Sequence, residues 1–233
     1  MPYSTVLFDL DHTLLDSDAS ERLAFEATAR SVGIDDPNRH LAAYQALNRA
    51  LWKKVERGEL SPNEVKTKRF EELISLICAD VDPVAMSEEY VNNLGAHGDL
   101  YPGAIDVLEA VAETSELALI TNGIGAVQRA RIERLGIGGF FSAIAISGEL
   151  GVAKPDPAIF EHVFGMLANT QDRSAGGDRG AVIVGDSLSS DIMGGHNAGI
   201  ATCWFNRLNE TRGPIEPTME VTALPQVVPA LCS

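Results

Sequence analysis

The amino-acid sequence predicts an α/β fold, in which a doubly wound, mainly parallel, Rossmann-like sheet carries an inserted helical cap domain. Short apolar runs recur without the strict alternation of half-exposed strands, a pattern typical of parallel strands that are buried on both faces. These runs are residues 5–9, 117–121, 143–147, 181–186 and 201–205. Helix-like stretches lie between them, and strands that alternate with helices indicate a doubly wound sheet.

The segment that follows the first strand breaks this alternation. Over residues 17–98 the apolar side chains recur at helical spacing, as at Leu51 and Val55, and no clear strand occurs. Turn residues then lead the chain back to the sheet. We therefore expect an α/β core formed by residues 1–16 and 99–233, with residues 17–98 inserted as a helical cap.

The remaining elements follow from the same patterns. Residues 104–114 and 125–135 are expected to be helices, and Gly136 follows the second, where glycine is favoured just past a helix end. Residues 170–179 are polar and contain glycine, which favours an exposed loop before the next strand. The segment 210–217 is rich in proline and charge, and we expect it to run over the surface.

The composition excludes several classes of protein. The 233 residues carry a formal net charge of -15, whereas proteins that bind nucleic acid polymers normally present a basic surface. No apolar stretch approaches the roughly 20 residues of a membrane-spanning helix, and the amino terminus lacks the zones of a signal peptide. We expect a cytoplasmic protein that acts on a small molecule, without a membrane or a nucleic acid polymer as partner. The oligomeric state is left open.

Carboxylates are expected to meet at the carboxyl ends of the strands, where parallel α/β sheets bind their ligands. Asp9 and Asp11 close the first strand, and Asp186 closes a later one. Three carboxylates in a small volume repel one another, and a hard divalent cation with oxygen ligands relieves that repulsion. Magnesium suits a site with few carboxylates that shares its ion with a phosphoester, so the sequence predicts a Mg²⁺ site.

The same strand ends carry groups suited to phosphoryl transfer. Asp9 is placed to act as a nucleophile, and Asp11 as the acid and then the base. Fixed donors must balance the charge of the phosphoryl oxygens, above all in an acidic chain. The expected phosphate-binding residues are Thr121, Asn122, Gly123 and Lys154. Asp191 is expected to orient Lys154 or a metal-bound water from outside the ligand shell.

Other chemistries are disfavoured. The histidines at 12, 97, 162 and 196 lack the spacing of metal ligands, so we assign them no role. No Gly-x-Ser-x-Gly motif occurs around the serines at 187, 189 and 190, which argues against a serine hydrolase. The first strand is not followed by Gly-x-Gly-x-x-Gly, which argues against a dinucleotide-binding fold. Taken alone, each aspartate or turn motif is more often part of an ordinary loop. The four motifs occur in order at the ends of predicted parallel strands, and this order supports a functional site.

These four motifs resemble those of the haloacid dehalogenase superfamily. They are residues 8–13 (FDLDHT), 120–123 (ITNG), 154–155 (KP) and 185–187 (GDS) with Asp191. The resemblance implies that Asp9 is the nucleophile, that Asp11 is the acid and base, and that Thr121 and Lys154 bind phosphate. It also implies that Asp9, the Asp11 carbonyl and Asp186 hold Mg²⁺. The aspartate at position 11 favours phosphotransfer over dehalogenation.

A second resemblance includes the cap. The chain is similar to the bacterial pyrimidine 5'-nucleotidases at residues 44–48, 51–52, 69–71, 119–123 and 151–155, at Gln128, Arg131 and Leu135, and at 197–199 and 201–204. This implies a phosphatase of nucleoside monophosphates, pyrimidine or noncanonical, and makes Asn48, Trp52 and Arg69 candidate substrate contacts. A core position for Trp52 and solvated positions for Asn48 and Arg69 are the alternatives.

The residues leave other functions open. A sugar or acylneuraminate phosphate phosphatase, or a phosphomutase, would use the same core motifs. A catalytically silent regulatory module is the alternative from another class, and the intact catalytic positions argue against it.

Overall fold

The computed structural model describes residues 3–167 and 180–232 and contains a six-stranded parallel sheet in the order β3-β2-β1-β4-β5-β6. The strands are β1 (Thr5–Phe8), β2 (Glu116–Thr121), β3 (Ala143–Ile146), β4 (Ala181–Gly185), β5 (Ala201–Phe205) and β6 (Met219–Val221). The predicted α/β class and parallel sheet are confirmed. The order reverses beside β1, which places the carboxyl ends of β1, β2 and β4 at a switch point where such sheets bind ligands.

Ten α-helices occur in the described part of the chain. They are α1 (Ser17–Ser31), α2 (Pro37–Glu56), α3 (Pro62–Ile77), α4 (Pro83–Ala96), α5 (Ala104–Ala112), α6 (Gly125–Arg134), α7 (Ser147–Leu150), α8 (Pro157–Met166), α9 (Met193–Asn197) and α10 (Val227–Leu231). Short 3-10 turns occupy Gly138–Phe140 and Leu224–Gln226, and a π-helical turn occupies Leu188–Ile192. None of the described helices is long and apolar enough to span a membrane.

The central strand β1 is buried along its whole length, as its run of β-branched and apolar residues predicts. Val6 and Phe8 belong to one apolar cluster and Leu7 to another, so the two faces of the sheet are covered separately. This arrangement explains why the chain has no charged residue along β1 before Asp9.

Helices α1 to α4 occupy the segment that the sequence assigned to a cap, and they pack around an apolar cluster that also includes Ile124 and Val127 at the start of α6. The centre of this cluster is aromatic: the rings of Phe25 and Tyr44 are stacked with centroids 4.6 Å apart, and Phe70 and Tyr90 meet edge to face at 5.2 Å. Aromatic residues bury large apolar areas, which makes this cluster the main packing unit of the four helices.

Several predicted boundaries differ from the observed ones. The helix expected over 104–114 ends at Ala112, and the one expected over 125–135 ends at Arg134. Strand β6 was not predicted, because it has only three residues and includes the polar Glu220. The tail over 210–217 is mostly exposed, as expected, and the loop expected over 170–179 lies outside the described residues.

Candidate active site

Asp9, the expected nucleophile, lies directly after β1 at the carboxyl edge of the sheet. Its main-chain N–H donates to the Val184 carbonyl at 3.0 Å, which extends the pairing of β1 with β4 by one step. The residue is only 5% exposed. Its Oδ1 accepts a hydrogen bond from Lys154 Nζ at 2.6 Å, and no described residue donates to Oδ2. One oxygen is therefore held by a cation, and the other is open to a ligand.

Lys154 is fixed by three acceptors. Its Nζ donates to Asp9 Oδ1 at 2.6 Å, to Asp191 Oδ1 at 2.6 Å and to the Ile120 carbonyl at 2.8 Å. Burial alone would lower the pKa of Lys154, but the two carboxylates raise it above its usual value. The raised pKa keeps Lys154 charged, and this charge supplies part of the local positive charge that an acidic chain needs at a phosphate site.

Asp9, Asp186 and Asp191 form an acidic cluster. One oxygen of each carboxylate lies within 4.8 Å of the other two. Both oxygens of Asp191 are occupied, because Oδ1 accepts from Lys154 and Oδ2 accepts from the Ser187 N–H at 3.0 Å. Asp9 Oδ2 and the Asp186 carboxylate are the oxygens that remain for a metal ion.

The acidic cluster resists full ionisation. Burial is the largest influence on Asp9 and raises its pKa from 3.8 to about 7, with Lys154 opposing and Asp191 adding to the rise. Burial also raises the pKa of Asp186 well above its ordinary value, and the charges of Asp191 and Asp9 add to that rise. Two carboxyl groups that are costly to ionise in a small volume fit a site that a divalent cation would neutralise.

Asp11 does not join this cluster, although the sequence placed its side chain beside Asp9 and Asp186. Its Oδ1 accepts from Ser17 Oγ at 2.6 Å and from Arg131 Nη1 at 2.8 Å, and its Oδ2 accepts from Gln128 Nε2 at 2.6 Å. Burial pushes the pKa of Asp11 upward, but Arg131 and these hydrogen bonds bring it below the ordinary value. The strand ends at Phe8, so the alternation that would have aligned Asp11 with Asp9 does not continue.

Ser17, Gln128 and Arg131 were not assigned roles from the sequence. Gln128 and Arg131 are three residues apart on α6 and therefore share one helix face, where both are buried. The only feature of the sequence that could have indicated a role for them is the presence of two polar side chains on a helix face that is otherwise apolar and buried. Their shared partner, Asp11, is more than 100 residues distant in the chain and becomes visible only in the fold.

The residues of the expected phosphate-binding turn differ in the hydrogen bonds that they already make within the protein. Thr121 is fully buried, and its Oγ1 accepts from Gln128 Nε2 at 2.7 Å. The Gly123 N–H already donates to Ser147 Oγ at 3.0 Å. The side chain of Asn122 exchanges two hydrogen bonds with the main chain of Lys154, both at 2.9 Å. In this arrangement Asn122 supports Lys154, and Gly123 has no spare donor.

A single cavity of about 720 Å³ joins these core residues to the cap helices. The core contributes Asp9, Asp11, Lys154 and Asp186 to its wall, and the cap contributes Glu21, Asn48, Trp52 and Arg69. Small-molecule sites commonly have volumes of roughly 300–1,000 Å³, so this cavity can hold a whole metabolite as well as its phosphate.

The three cap residues expected to contact substrate all line the cavity. Asn48 is 2% exposed and Arg69 is 1% exposed, so the alternative of solvated positions is wrong. Trp52 is half-buried and also packs against the small apolar cluster that contains Leu51 and Val65. It therefore has both an apolar packing surface and a face on the cavity.

Contacts across the cavity mouth hold the cap helices to the core. Ser189 Oγ donates to Glu56 Oε2 at 2.9 Å, and Arg207 lies 3.4 Å from the Asp18 carboxylate. Arg131 also donates to Ser20 Oγ at 2.8 Å, so the side chain that binds Asp11 reaches the first cap helix as well.

Comparison with known proteins places these features in a family. Residues 3–199 match the model of the haloacid dehalogenase-like hydrolases. The chain is 35% identical over 223 residues to the pyrimidine 5'-nucleotidase PynA of Streptococcus pneumoniae, covering 95% of this chain and 92% of that protein. It is 33% identical over 236 residues to the pyrimidine 5'-nucleotidase YjjG of Escherichia coli, covering 100% of this chain and 99% of that protein.

A solved structure shows the same architecture. The fold superposes with a TM-score of 0.88 on the HAD-hydrolase YfnB of Bacillus subtilis, at 33% identity and with 98% of each chain covered. That crystal structure contains magnesium and is described as revealing interdomain movement. The similarity extends over the core and the cap segment alike, as the sequence motifs predicted.

Proposed function

The chain belongs to the haloacid dehalogenase-like hydrolases and is a phosphatase, and on that premise we propose that it is a Mg²⁺-dependent 5'-nucleotidase. Its substrates are nucleoside monophosphates, pyrimidine or noncanonical, and the reaction passes through an aspartyl phosphate on Asp9. The observation that carries the proposal is the position of Asp9, whose Oδ1 is held by Lys154 while Oδ2 is open in the shared cavity. Similarity to two pyrimidine 5'-nucleotidases supports the substrate class.

The donor set at the acidic cluster fits a magnesium ion. Mg²⁺ prefers oxygen ligands and usually keeps several waters, so few protein ligands suffice. Asp9 Oδ2 and Asp186 have no hydrogen-bond donor among the described residues, whereas each oxygen of Asp191 already accepts one hydrogen bond, from Lys154 or from Ser187. In the proposal Asp9, Asp186 and the Asp11 main-chain carbonyl hold the ion. When bound, Mg²⁺ supplies positive charge that draws in the phosphate oxygens and offsets charge developing on them.

In the first step an oxygen of Asp9 attacks phosphorus, and the bond from phosphorus to the 5'-oxygen of the nucleotide breaks. The electron pair of that bond remains on the departing oxygen, which takes up a proton and leaves as a nucleoside. Lys154 and the Thr121 hydroxyl are the proposed partners of the phosphoryl oxygens, because Lys154 is a cation and Thr121 lies at the end of the adjacent strand. Lys154 Nζ already donates to three acceptors, so the proposal requires one of these hydrogen bonds to be exchanged for the phosphate.

In the second step water attacks phosphorus, the aspartyl phosphate is cleaved and Asp9 is regenerated. Asp11 accepts the proton of that water; Arg131 and the hydrogen bonds lower the pKa of this carboxyl group and so keep it ionised and able to accept a proton. For the first step Asp11 must carry a proton to the departing oxygen. The proposal therefore requires its carboxyl group to leave Arg131 when substrate is bound.

We further propose that residues 17–98 act as a cap that closes over the cavity, with residues 1–16 and 99–233 as the core. Closure would exclude water other than the attacking molecule. We place the reaction in the cytoplasm, with a small phosphoester as partner and no membrane or nucleic acid polymer. All three cysteines are free, which suits a reducing compartment.

A substrate panel tests the proposal. Phosphate release should be measured with and without Mg²⁺ for UMP, dTMP, CMP, AMP, ribose 5-phosphate and an acylneuraminate 9-phosphate. We expect Mg²⁺-dependent release with the highest kcat/KM for a nucleoside monophosphate. Higher kcat/KM for a sugar or acylneuraminate phosphate would overturn the substrate class and leave the phosphatase chemistry intact.

A further inference from the structure

Arg69 of α3 is a buried cation with unused hydrogen-bond donors. It is 1% exposed, and its Nε and Nη2 atoms make no hydrogen bond of standard geometry with the described residues, although Arg69 interacts electrostatically with the buried Tyr44 hydroxyl. The third nitrogen, Nη1, makes only a long contact of 3.4 Å with Asn48 Oδ1. A guanidinium offers five N–H donors and no acceptor, so most of this group's capacity is idle.

Idle buried donors are rare, because an unsatisfied polar group loses its hydration without compensation. Arg69 is kept in place by packing: its guanidinium carbon lies 4.4 Å from the ring centroid of Tyr90 and 5.3 Å from that of Phe70. A buried cation that packs beside two aromatic rings and lines a ligand cavity keeps donors available for an acceptor on a ligand.

The neighbours of Arg69 supply the complementary acceptor. Asn48 lies between two charged groups, since its Oδ1 accepts from Arg69 and its Nδ2 donates to Glu21 Oε1 at 2.7 Å. Both oxygens of the Glu21 carboxylate can accept hydrogen bonds, and no described residue donates to Oε2. Glu21 also lines the cavity. The three side chains therefore present donors and an acceptor side by side.

We propose that Arg69, Asn48 and Glu21 form the subsite that reads the nucleobase. Arg69 turns toward the cavity and donates to a ring carbonyl oxygen, Glu21 accepts from the neighbouring ring N–H, and Asn48 holds the two in register. The ligand edge is a carbonyl next to an N–H, as in uracil and thymine. This inference rests on the proposed nucleotidase function and assigns the residues that make it selective.

The chemistry of the subsite favours a neutral ring over a carboxylate. A carboxylate would also satisfy Arg69, but it would bring a second negative charge close to the Glu21 carboxyl group, which is linked to Arg69 through Asn48. Burial raises the pKa of Glu21, which indicates that further negative charge in this region is unfavourable. A ring that carries both a donor and an acceptor can bond to Glu21 and to Arg69 without adding charge.

The test compares substrates with and without a base in Arg69→Met and in a matched control, Arg39→Met. Arg39 lies on α2, is exposed and does not line the cavity. For Arg69→Met we expect kcat/KM for UMP to fall about 10- to 100-fold, since a hydrogen bond to a charged group contributes on that scale. Values for ribose 5-phosphate and p-nitrophenyl phosphate should remain within about twofold, and Arg39→Met should match wild type throughout.

A substrate-side probe keeps the inference testable if Arg69→Met does not fold. Wild-type protein should hydrolyse 3-methyluridine 5'-monophosphate, which lacks the ring N–H, at least about 10-fold less efficiently than UMP. Equal rates for these two substrates, or an equal loss on all substrates in a folded Arg69→Met protein, would overturn the subsite. If wild-type protein does not prefer UMP to ribose 5-phosphate, the nucleotidase proposal fails first, and the two failures are thereby distinguished.

Discussion

Replacement of Lys154 by methionine tests how the acidic cluster is held together. Methionine has nearly the same length but no charge, so the change removes the contacts to Asp9, Asp191 and the Ile120 carbonyl without leaving a large void. The side chains of Lys154 and Asp191 are each 1% exposed and that of Asp9 is 7% exposed, so solvent does not screen these pairs. Breaking a buried pair by removing one partner costs about 3–5 kcal/mol.

The lower end of that range applies here, because Asp9 can take up a proton once its cation is lost. We expect about 3 kcal/mol of lost unfolding free energy at pH 8 without metal. The corresponding fall in Tm is roughly 6–12 °C for a chain of this size. The loss should be smaller at pH 6, where the carboxyl group protonates more readily.

Urea unfolding followed by circular dichroism, with EDTA present, measures this loss directly. Lys53→Met is the matched control, because Lys53 is exposed on α2, and its unfolding midpoint should equal that of wild type. An unchanged midpoint for Lys154→Met, or a loss that does not depend on pH, would refute the inference that Lys154 neutralises the two buried carboxylates.

Three further changes test neighbouring features. Gly185→Ala should lower kcat at least about 10-fold in a steady-state assay, because the added Cβ would lie 2.2 Å from Asp191 Cγ and displace the group that orients Lys154. Arg131→Met should lower kcat and raise the pKa of Asp11 in a pH–rate profile, since Arg131 donates to that carboxylate at 2.8 Å. Metal-free protein should lose stability as pH rises from about 5 to 7, by up to about 1.4 kcal/mol per unit in urea titrations. The folded-state pKa of Asp9 is raised from 3.8 to about 7, so its stabilising contribution is complete below pH 3.8 and is lost as pH rises through 7.

Each of these expectations has a contrary result. Wild-type kcat in Gly185→Ala would mean that Asp191 can shift without harm. An unaltered pH profile of kcat/KM in Arg131→Met, which reports the substrate-free enzyme, would show that Arg131 does not lower the pKa of Asp11. Stability that rises between pH 5 and 7 without metal would show that Asp9 is stabilised as a carboxylate by Lys154 more than it is penalised by burial.

The sheet could be predicted from the sequence because a strand that is buried on both faces has a run of mainly apolar residues. Residues 5–8 are β-branched or apolar, since β1 is covered on both faces, and charged residues appear as soon as the strand ends. Strand β6 has no such run, because it is three residues long and only partly buried. Short edge strands therefore escape a criterion that depends on buried apolar runs.

The acidic cluster was only partly accessible. That Asp9 and Asp186 lie near each other followed from their positions at strand ends. The sequence did not predict that the third carboxylate of the acidic cluster is Asp191 and not Asp11. Asp11 is held away from the cluster by Arg131 and Gln128, which lie on a helix more than 100 residues later. Contacts of that separation have no periodicity in the sequence.

The cap illustrates the same limit for charged residues. An arginine and an asparagine on amphipathic helices are ordinarily expected at the surface. Arg69 and Asn48 are buried because they interact with each other and with Glu21, and because Tyr90 covers the guanidinium. The resemblance to the pyrimidine 5'-nucleotidases made both residues candidate substrate contacts. Their burial and their interaction partners could be identified only in the folded structure.

The central claim, that a phosphoryl group is transferred to Asp9, is tested most directly by trapping the intermediate. Protein is mixed with ³²P-labelled UMP and Mg²⁺, quenched in acid within one turnover and digested, and the labelled peptide is identified by mass spectrometry. We predict label on the peptide that contains Asp9, released by hydroxylamine, absent from Asp9→Asn and retained in the exposed-site control Asp106→Asn. A folded Asp9→Asn protein that still hydrolyses UMP, or label on any other residue, would contradict the account.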